Sequence, residues 1–260
     1  MSNTKSARLL YPDLAGKVAL VTGSSRGIGA ETARHLAANQ VKVVVNGRQP
    51  GAIERVVSEI KASGGTAIGC IADCSKTDQL ERMRQEIERQ FGAVTLLFAF
   101  AGGDGNPEPI EDLTEERWDG VMAGNLKSKF FTVKSFLPGM KQQGMGSIVL
   151  MCSAAGRATS QASLAYSSAQ AGVVMLTRNL AQQLGKAGIR VNAIAPSTVM
   201  NDKIREYMAE DQQRNLAASY PVPRIGQPED IASAALFLSS EVSSWITGIV
   251  LDVAGGKVML

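Results

Sequence analysis

Seven short β-branched or apolar runs punctuate the chain: KVALVT (17–22), VKVVVN (41–46), TAIGCIA (66–72), VTLLFAFA (94–101), SIVLMCS (147–153), IRVNAIA (189–195) and GIVLDV from Gly248. The stretches between them are rich in Ala, Leu, Glu, Lys, Arg and Gln at helical spacing, as in Leu80, Met83, Ile87 and Phe91. Such alternation leaves few solutions. Strands joined through helices run parallel, and a parallel sheet needs helices on both faces. The pattern predicts an α/β fold with a seven-stranded parallel sheet flanked by helices. No Ser/Gly/Pro-rich linker, internal repeat or low-complexity tract divides the 260 residues, so 1–260 reads as one domain. The alternation breaks at 199–226, where charged residues precede YPVPRIG with Pro221 and Pro223. That segment reads as a substrate lid or as a plain surface excursion.

Composition removes several function classes. The balance of 27 Lys/Arg against 24 Asp/Glu gives a net charge of only +3, spread along the chain, which predicts no nucleic-acid partner and no polybasic membrane surface. Cys70, Cys74 and Cys152 form no CxxC pair, and His35 is the single histidine, so no metal site is predicted and a reduced compartment is expected. The longest apolar run is far too short to cross a bilayer and MSNTKSARLLYPD lacks the apolar core of a secretory signal, so a cytoplasmic protein is expected.

The strongest local signal is KVALVTGSSRGIG, a hydrophobic strand running straight into Gly23, Gly27 and Gly29 and then into a helix-compatible stretch. Glycines there permit a tight turn and close backbone approach to a pyrophosphate at the positive end of the following helix. With the strand before it and the βαβ pattern after it, the loop predicts a Rossmann-type, doubly wound dinucleotide-binding domain, with Ser25, Arg26 and Ile28 among the loop contacts. At the end of the second strand the chain reads VVVNGR, so Gly47 and then Arg48 stand where a ribose-binding acid is expected. A missing acid and an added base suggest a 2′-phosphate held by Arg26 and Arg48, hence NADP(H).

These residues resemble the short-chain dehydrogenase/reductase family over nearly the whole chain. TGSSRGIG is similar to its TGxxxGxG cofactor loop, and ADCS at 72–75 to its adenine-binding motif, which implies that the Asp73 carboxylate meets the adenine amino group with the Cys74 backbone nearby. A strand-end cap is the other reading of Asp73. Where the family usually has NNAG, this chain has Ala99, Phe100, Ala101 and Gly102, so backbone contacts from Ala101 and Gly102 are retained without the two asparagine side chains. The loop APSTVMN implies carboxamide contacts at Pro196 and Val199, with Ser197 in place of a usual Gly and Asn201 in place of a usual Thr.

The resemblance also implies a catalytic set. Asn125 in GNLKSKFF matches the family's helix Asn, and Ser153 in LMCSAAG lies thirteen positions before Tyr166 in LAYSSAQAG, the family's Ser–Tyr spacing. Reducing a ketone by hydride needs a proton donor at the developing alkoxide and a second hydrogen bond on the carbonyl oxygen; tyrosine suits the first role and serine the second.

The departure is Gln170. The family motif is YxxxK, and here Tyr166 is followed at i+4 by glutamine, which keeps hydrogen bonding on the same helix face and loses the charge that favours tyrosinate. An unperturbed phenol titrates near pH ~10. Two readings follow. One is an NADP(H)-dependent oxidoreductase acting on a small-molecule carbonyl or secondary alcohol, weakened or altered by Gln170; the other is a non-redox or cofactor-sensing protein. Lys127 or Lys129, close after Asn125, is a candidate to replace the missing charge, with outward-facing surface lysines the preferred reading. His35 is read as a packing or surface residue, and Cys152 as a buried structural thiol.

The tail VPRIGQPEDIASAALFLSSEVSSWITGIVLDVAGG resembles the 3-oxoacyl-carrier-protein reductase and glucose dehydrogenase branches, which implies a homotetramer. Trp245, Ile246 and Val258-Met259-Leu260 are candidates to bury against a neighbour, with an intrachain buried Trp the alternative. Segments 102–110, 154–165 and 199–220 are expected to shape the substrate pocket, and Leu164, Met200, Tyr207 and Met208 lean it toward a moderately hydrophobic carbonyl compound.

Overall fold

The computed structural model describes residues 10–260. Its strands are β1 (Val18–Thr22), β2 (Lys42–Gly47), β3 (Thr66–Ile71), β4 (Leu96–Ala99), β5 (Gly146–Met151), β6 (Ile189–Pro196) and β7 (Val250–Val253). They form one seven-stranded sheet in the order β3-β2-β1-β4-β5-β6-β7, every pair parallel. The helices are α1 (Gly27–Ala38), α2 (Pro50–Ala62), α3 (Thr77–Phe91), α4 (Glu115–Met122), α5 (Ser128–Gln143), α6 (Leu164–Leu184), α7 (Asp202–Tyr207), α8 (Glu210–Ala218) and α9 (Pro228–Ser239).

Two apolar layers explain why the strands read as unbroken hydrophobic runs. Neighbouring strand residues point to opposite faces, and both faces are covered. Val21, Val45 and Phe98 pack with α1, α2 and α9, while Leu20, Val44, Leu97 and Ala99 pack with α3, α5 and α6. Strands β1 and β4 are buried at every position.

The chain runs outward from β1 through β2 to β3, then returns to β4 on the other side of β1. This reversal opens a crevice at the carboxyl ends of β1 and β4, where doubly wound sheets bind their ligands. Strand β4 is shorter than the run 94–101. Beyond Ala99 the amides of Phe100 and Ala101 turn to the side-chain hydroxyl of Thr22 at the end of β1, each at 3.0 Å, instead of to the backbone of a neighbouring strand.

The segment at 199–226 contains α7 and α8, and its ends are pinned by a bridge between Val199 and Gly226. Asn201 caps α7, its Oδ1 accepting from Ile204 N–H at 3.1 Å. No helix among the described residues is long and apolar enough to cross a membrane.

Candidate active site

The glycine loop is shaped by contacts that a side chain would obstruct. A Cβ on Gly29 would lie 2.5 Å from Gly23 O, and one on Gly23, which has φ 66°, would lie 2.9 Å from Ala101 Cα. Gly27 also sits in the left-handed region, at φ 57°. The turn therefore brings the start of α1 hard against the end of β1, and Ile28 behind it packs on the core.

A cavity of about 510 Å³ brings together Gly23, Ser25, Arg26, Arg48, Asp73, Cys74, Ala101, Gly102 and Asn125. Gly27 and Arg26 border a neighbouring cavity of about 560 Å³ that also reaches Asn201 and Arg205. Both arginines proposed for the phosphate are exposed and line the same cavity as Gly47.

Asp73 Oδ1 accepts from the Ser75 amide at 2.9 Å and the Ser75 hydroxyl at 2.7 Å. Burial pushes its pKa upward, but those bonds and the charges of Arg48 and Lys76 outweigh it and hold the carboxyl below the usual range. The Cys74 thiol points inward, donating to Asn46 Oδ1 at 3.3 Å, and burial pushes its pKa up to about 12. Pro196 closes β6 and Val199 is held by its bridge; neither is among the residues lining the cleft.

A second cluster surrounds Tyr166. Ser163 caps α6 by accepting from Tyr166 N–H at 3.3 Å, which puts the tyrosine in the first turn and Gln170 one turn later. Ser153 leaves β5 and caps the short turn Ala154–Gly156, its Oγ accepting from Ala155 N–H at 3.2 Å. Gly156 presses that turn onto α6; a Cβ there would sit 2.5 Å from the Gln170 carbonyl carbon. Gly105 similarly lies against the Tyr166 ring, so the loop at 102–110 covers it. Burial raises the Tyr166 pKa, with Cys152 adding to the effect, while hydrogen bonding by Ser153 and Gln170 works against it. Neutral tyrosine, a proton donor, is the favoured form.

Asn125 joins the two clusters. Its Oδ1 accepts from Gly103 N–H at 2.8 Å and from Gln170 Nε2 at 3.3 Å, and its Nδ2 donates to Gly103 O and Val121 O, both at 2.9 Å. This is possible because the helix widens into a π-turn over Ala123–Lys127, where Ser128 N–H reaches back five residues to Ala123 O.

The preferred reading of Lys129 is corrected here. Lys127 is exposed as expected, but Lys129 is buried, its Nζ donating to Ala101 O at 2.9 Å and Asn125 O at 2.8 Å. Lys129 lies on the buried side of α5, its ammonium reaching the Ala101 carbonyl just beyond β4. Its spacing of four from Asn125 was the available signal, since i and i+4 share a helix face.

Thr22 and Asn46 are further residues the motifs did not single out. Thr22 clasps the end of β4, and Asn46 Nδ2 ties β2 to the carbonyls of Cys70 and Ala72 at 3.1 and 3.2 Å. A polar residue ending an apolar run is the clue in both. His35 is a largely buried helix residue whose Nε2 lies 3.1 Å from Glu31, and Cys152 is buried. Trp245 is 99% exposed, which overturns intrachain burial. Among the described residues no cluster has the makings of a metal site.

A crevice at the strand reversal, a glycine turn beneath it and a Ser–Tyr pair beside it define a nucleotide-dependent oxidoreductase scaffold, and comparison with known proteins agrees. A family model described as enoyl-(acyl carrier protein) reductase matches residues 23–257. The chain belongs to the short-chain dehydrogenase/reductase family, whose members are hydride-transfer enzymes using nicotinamide cofactors. It is 35% identical over 245 residues to 7alpha-hydroxysteroid dehydrogenase of Escherichia coli K12, covering 94% of this chain and 95% of the relative. It is 36% identical to 3-oxoacyl-[acyl-carrier-protein] reductase FabG of Staphylococcus epidermidis, covering 94% and 99%. A solved 7alpha-hydroxysteroid dehydrogenase, complexed with NADH and 7-oxo glycochenodeoxycholic acid, superposes with a TM-score of 0.90 at 34% identity, covering 96% of this chain and 97% of that one.

Proposed function

We propose that this chain is an NADP(H)-dependent oxidoreductase that interconverts a moderately hydrophobic carbonyl compound and its secondary alcohol, with reduction the favoured direction. The observation that carries the cofactor choice is the presence of Arg26 and Arg48 on one cleft, beside Gly47 where an acid would repel a 2′-phosphate.

The residues present fit a dinucleotide. The Gly23–Gly29 backbone leaves no room for a Cβ at Gly29, as close phosphate approach requires, and Gln170 Oε1 is buried with no partner, an acceptor awaiting a donor such as a ribose hydroxyl. In this reading the loop amides and the start of α1 hold the pyrophosphate, with Ser25, Gly27 and Ile28 contributing backbone. Arg26 and Arg48 hold the 2′-phosphate, and Asp73 with the Cys74 backbone holds the adenine. Ala101, Gly102 and Gln170 hold the nicotinamide ribose, and Pro196 and Val199 the carboxamide.

Bound NADPH supplies the hydride. Tyr166, kept neutral by burial, donates its proton to the carbonyl oxygen. Ser153 donates a second hydrogen bond that orients that oxygen. The 199–226 segment serves as the lid, its Met200, Tyr207 and Met208 offering apolar contact from a base fixed at Val199 and Gly226. Trp245, Met259 and Leu260, at 99%, 80% and 82% exposure, support assembly into a homotetramer, which light scattering tests.

The deciding experiment follows NADPH consumption with a panel of ketones, including oxosteroids and 3-oxoacyl thioesters, in the parent and in Tyr166→Phe. Turnover that prefers NADPH over NADH and vanishes in the variant is expected. Tight cofactor binding without turnover on any carbonyl would replace this reading with cofactor sensing.

A further inference from the structure

A buried ammonium with no anion beside it calls for a cause. Lys129 is 2% exposed, and its Nζ donates to two carbonyl oxygens, Asn125 O and Ala101 O. None of the charged groups acting on it is a carboxylate. Burying such a cation is costly, and methionine would fill the same space without that cost. Desolvation draws its pKa down to about 8, so the charge is present at neutral pH and lost just above it.

A hydrogen-bonded route connects this ammonium to Tyr166. Through hydrogen bonds, Lys129 holds the Asn125 carbonyl, the Asn125 side chain receives Gln170 Nε2, and Gln170 acts on the phenol. The buried Cys152, a neutral thiol at neutral pH, lies near both Lys129 and Tyr166. Lys129 also fixes Ala101 O, one residue before Gly102, whose added Cβ would lie 3.2 Å from Nζ. The ammonium therefore stands directly behind the cleft wall.

We propose that Lys129 is the positioning cation of this active site: from α5 it anchors the Asn125 and Ala101 carbonyls and supplies the positive charge that Gln170 on α6 does not carry. The inference rests on the reductase reading above. When the Tyr166 O–H bond breaks and its proton passes to the carbonyl oxygen as carbon receives hydride from NADPH, the phenolate left behind is stabilised by that charge until solvent reprotonates it. The titratable groups around Lys129 do not change state near pH 8. Cys74 from the loop after β3 is pushed up to about 12, Cys152 from β5 and Tyr166 from α6 are raised, and Asp73 is held ionised. Beyond Cys152, Arg157 and Asp252 remain paired.

The test uses Lys129→Met, Gln170→Lys and the double variant, each checked for folding by circular dichroism, with kcat/KM for carbonyl reduction measured from pH 6 to 9. The parent rate is expected to fall through pH about 8. Lys129→Met is expected to be about 100-fold slower at pH 7 with that limb gone. Gln170→Lys alone is expected to gain less than about fivefold, since the cation is already present, and in the Lys129→Met background to recover activity to within about tenfold of the parent. A Lys129→Met profile like the parent's, a loss the double variant does not recover, or a gain of about 100-fold from Gln170→Lys alone would overturn the proposal. Lysine ε-carbon NMR of the intact protein decides the matter without turnover and without a variant. One lysine titrating near pH 8 and moving upward when NADPH binds is expected, and its absence or indifference to NADPH sinks the proposal. A protein that reduces no carbonyl yet shows this shift refutes the reductase reading while retaining the cation.

Discussion

Gln170 reaches Asn125 with its amide nitrogen, Nε2 to Oδ1 at 3.3 Å, while its own Oε1 is buried with no partner. Gln170→Leu removes one hydrogen bond and one unsatisfied acceptor together, so the melting temperature of the unliganded protein should change little. If Oε1 serves the cofactor, NADPH affinity should fall about tenfold, the worth of one hydrogen bond. Fluorescence titration checks this; unchanged affinity with a lowered melting point assigns Gln170 a structural role.

Gly29→Ala tests the close approach in the glycine turn. The new methyl would meet Gly23 O at 2.5 Å and Ser24 Cα at 2.8 Å, both backbone atoms that cannot rotate away. A destabilisation of about 1–3 kcal/mol and loss of cofactor binding are expected. Urea unfolding with and without NADPH measures both, and a variant that NADPH still stabilises refutes the fit.

Removing the Arg48 charge separates the two cofactors. Charged hydrogen bonds are worth about 1.5–3 kcal/mol, so Arg48→Ala should weaken NADPH binding roughly 10- to 100-fold while NADH changes little. Equal losses for both would dismiss the phosphate clamp.

Arg157 and Asp252 form a two-point ion pair, Nε to Oδ1 at 3.0 Å and Nη2 to Oδ2 at 2.9 Å, that straps the turn after Ser153 to β7. Arg157→Met strands a mostly buried carboxylate, at a cost of about 1–3 kcal/mol. It should also lower kcat more than it weakens NADPH binding, because Ser153 shifts and the glycine loop does not. Steady-state kinetics beside a cofactor titration reveal the split.

Lys129 has a folded-state pKa near 8, well under an ordinary lysine. The folded chain therefore binds fewer protons than the unfolded chain from about pH 8 to the normal lysine range, and this group favours folding increasingly as pH rises through that window. Lys129→Met lacks the effect. The stability of the parent relative to the variant should grow between pH 8 and 10 in paired thermal melts; a constant difference contradicts the shifted pKa.

Much of the architecture was legible in the chain because burial on both faces forces continuous apolar strands, and the glycine turn and the Ser153–Tyr166 spacing are written locally. The ends of β4 were not, since Phe100 and Ala101 look like strand residues and only the distant Thr22 hydroxyl diverts them. Lys129 escaped for a different reason. The run Lys127-Ser128-Lys129 suggests a solvated face, and the partners that hold the Lys129 ammonium, Ala101 O and Asn125 O, are backbone carbonyls that no side-chain pattern announces.

The π-turn over Ala123–Lys127 makes the length of the segment, as well as its side chains, a carrier of information. One residue advances a regular helix by about 100°, so deleting Gly124 would remove the five-residue reach from Ser128 to Ala123 and shift where Asn125 and Lys129 sit relative to α4, without altering Lys129, Asn125 or Gln170 themselves. A homologous sequence with identical residues in this region and a gap of one would then have a different interior, and an alignment scored on identities alone would miss it.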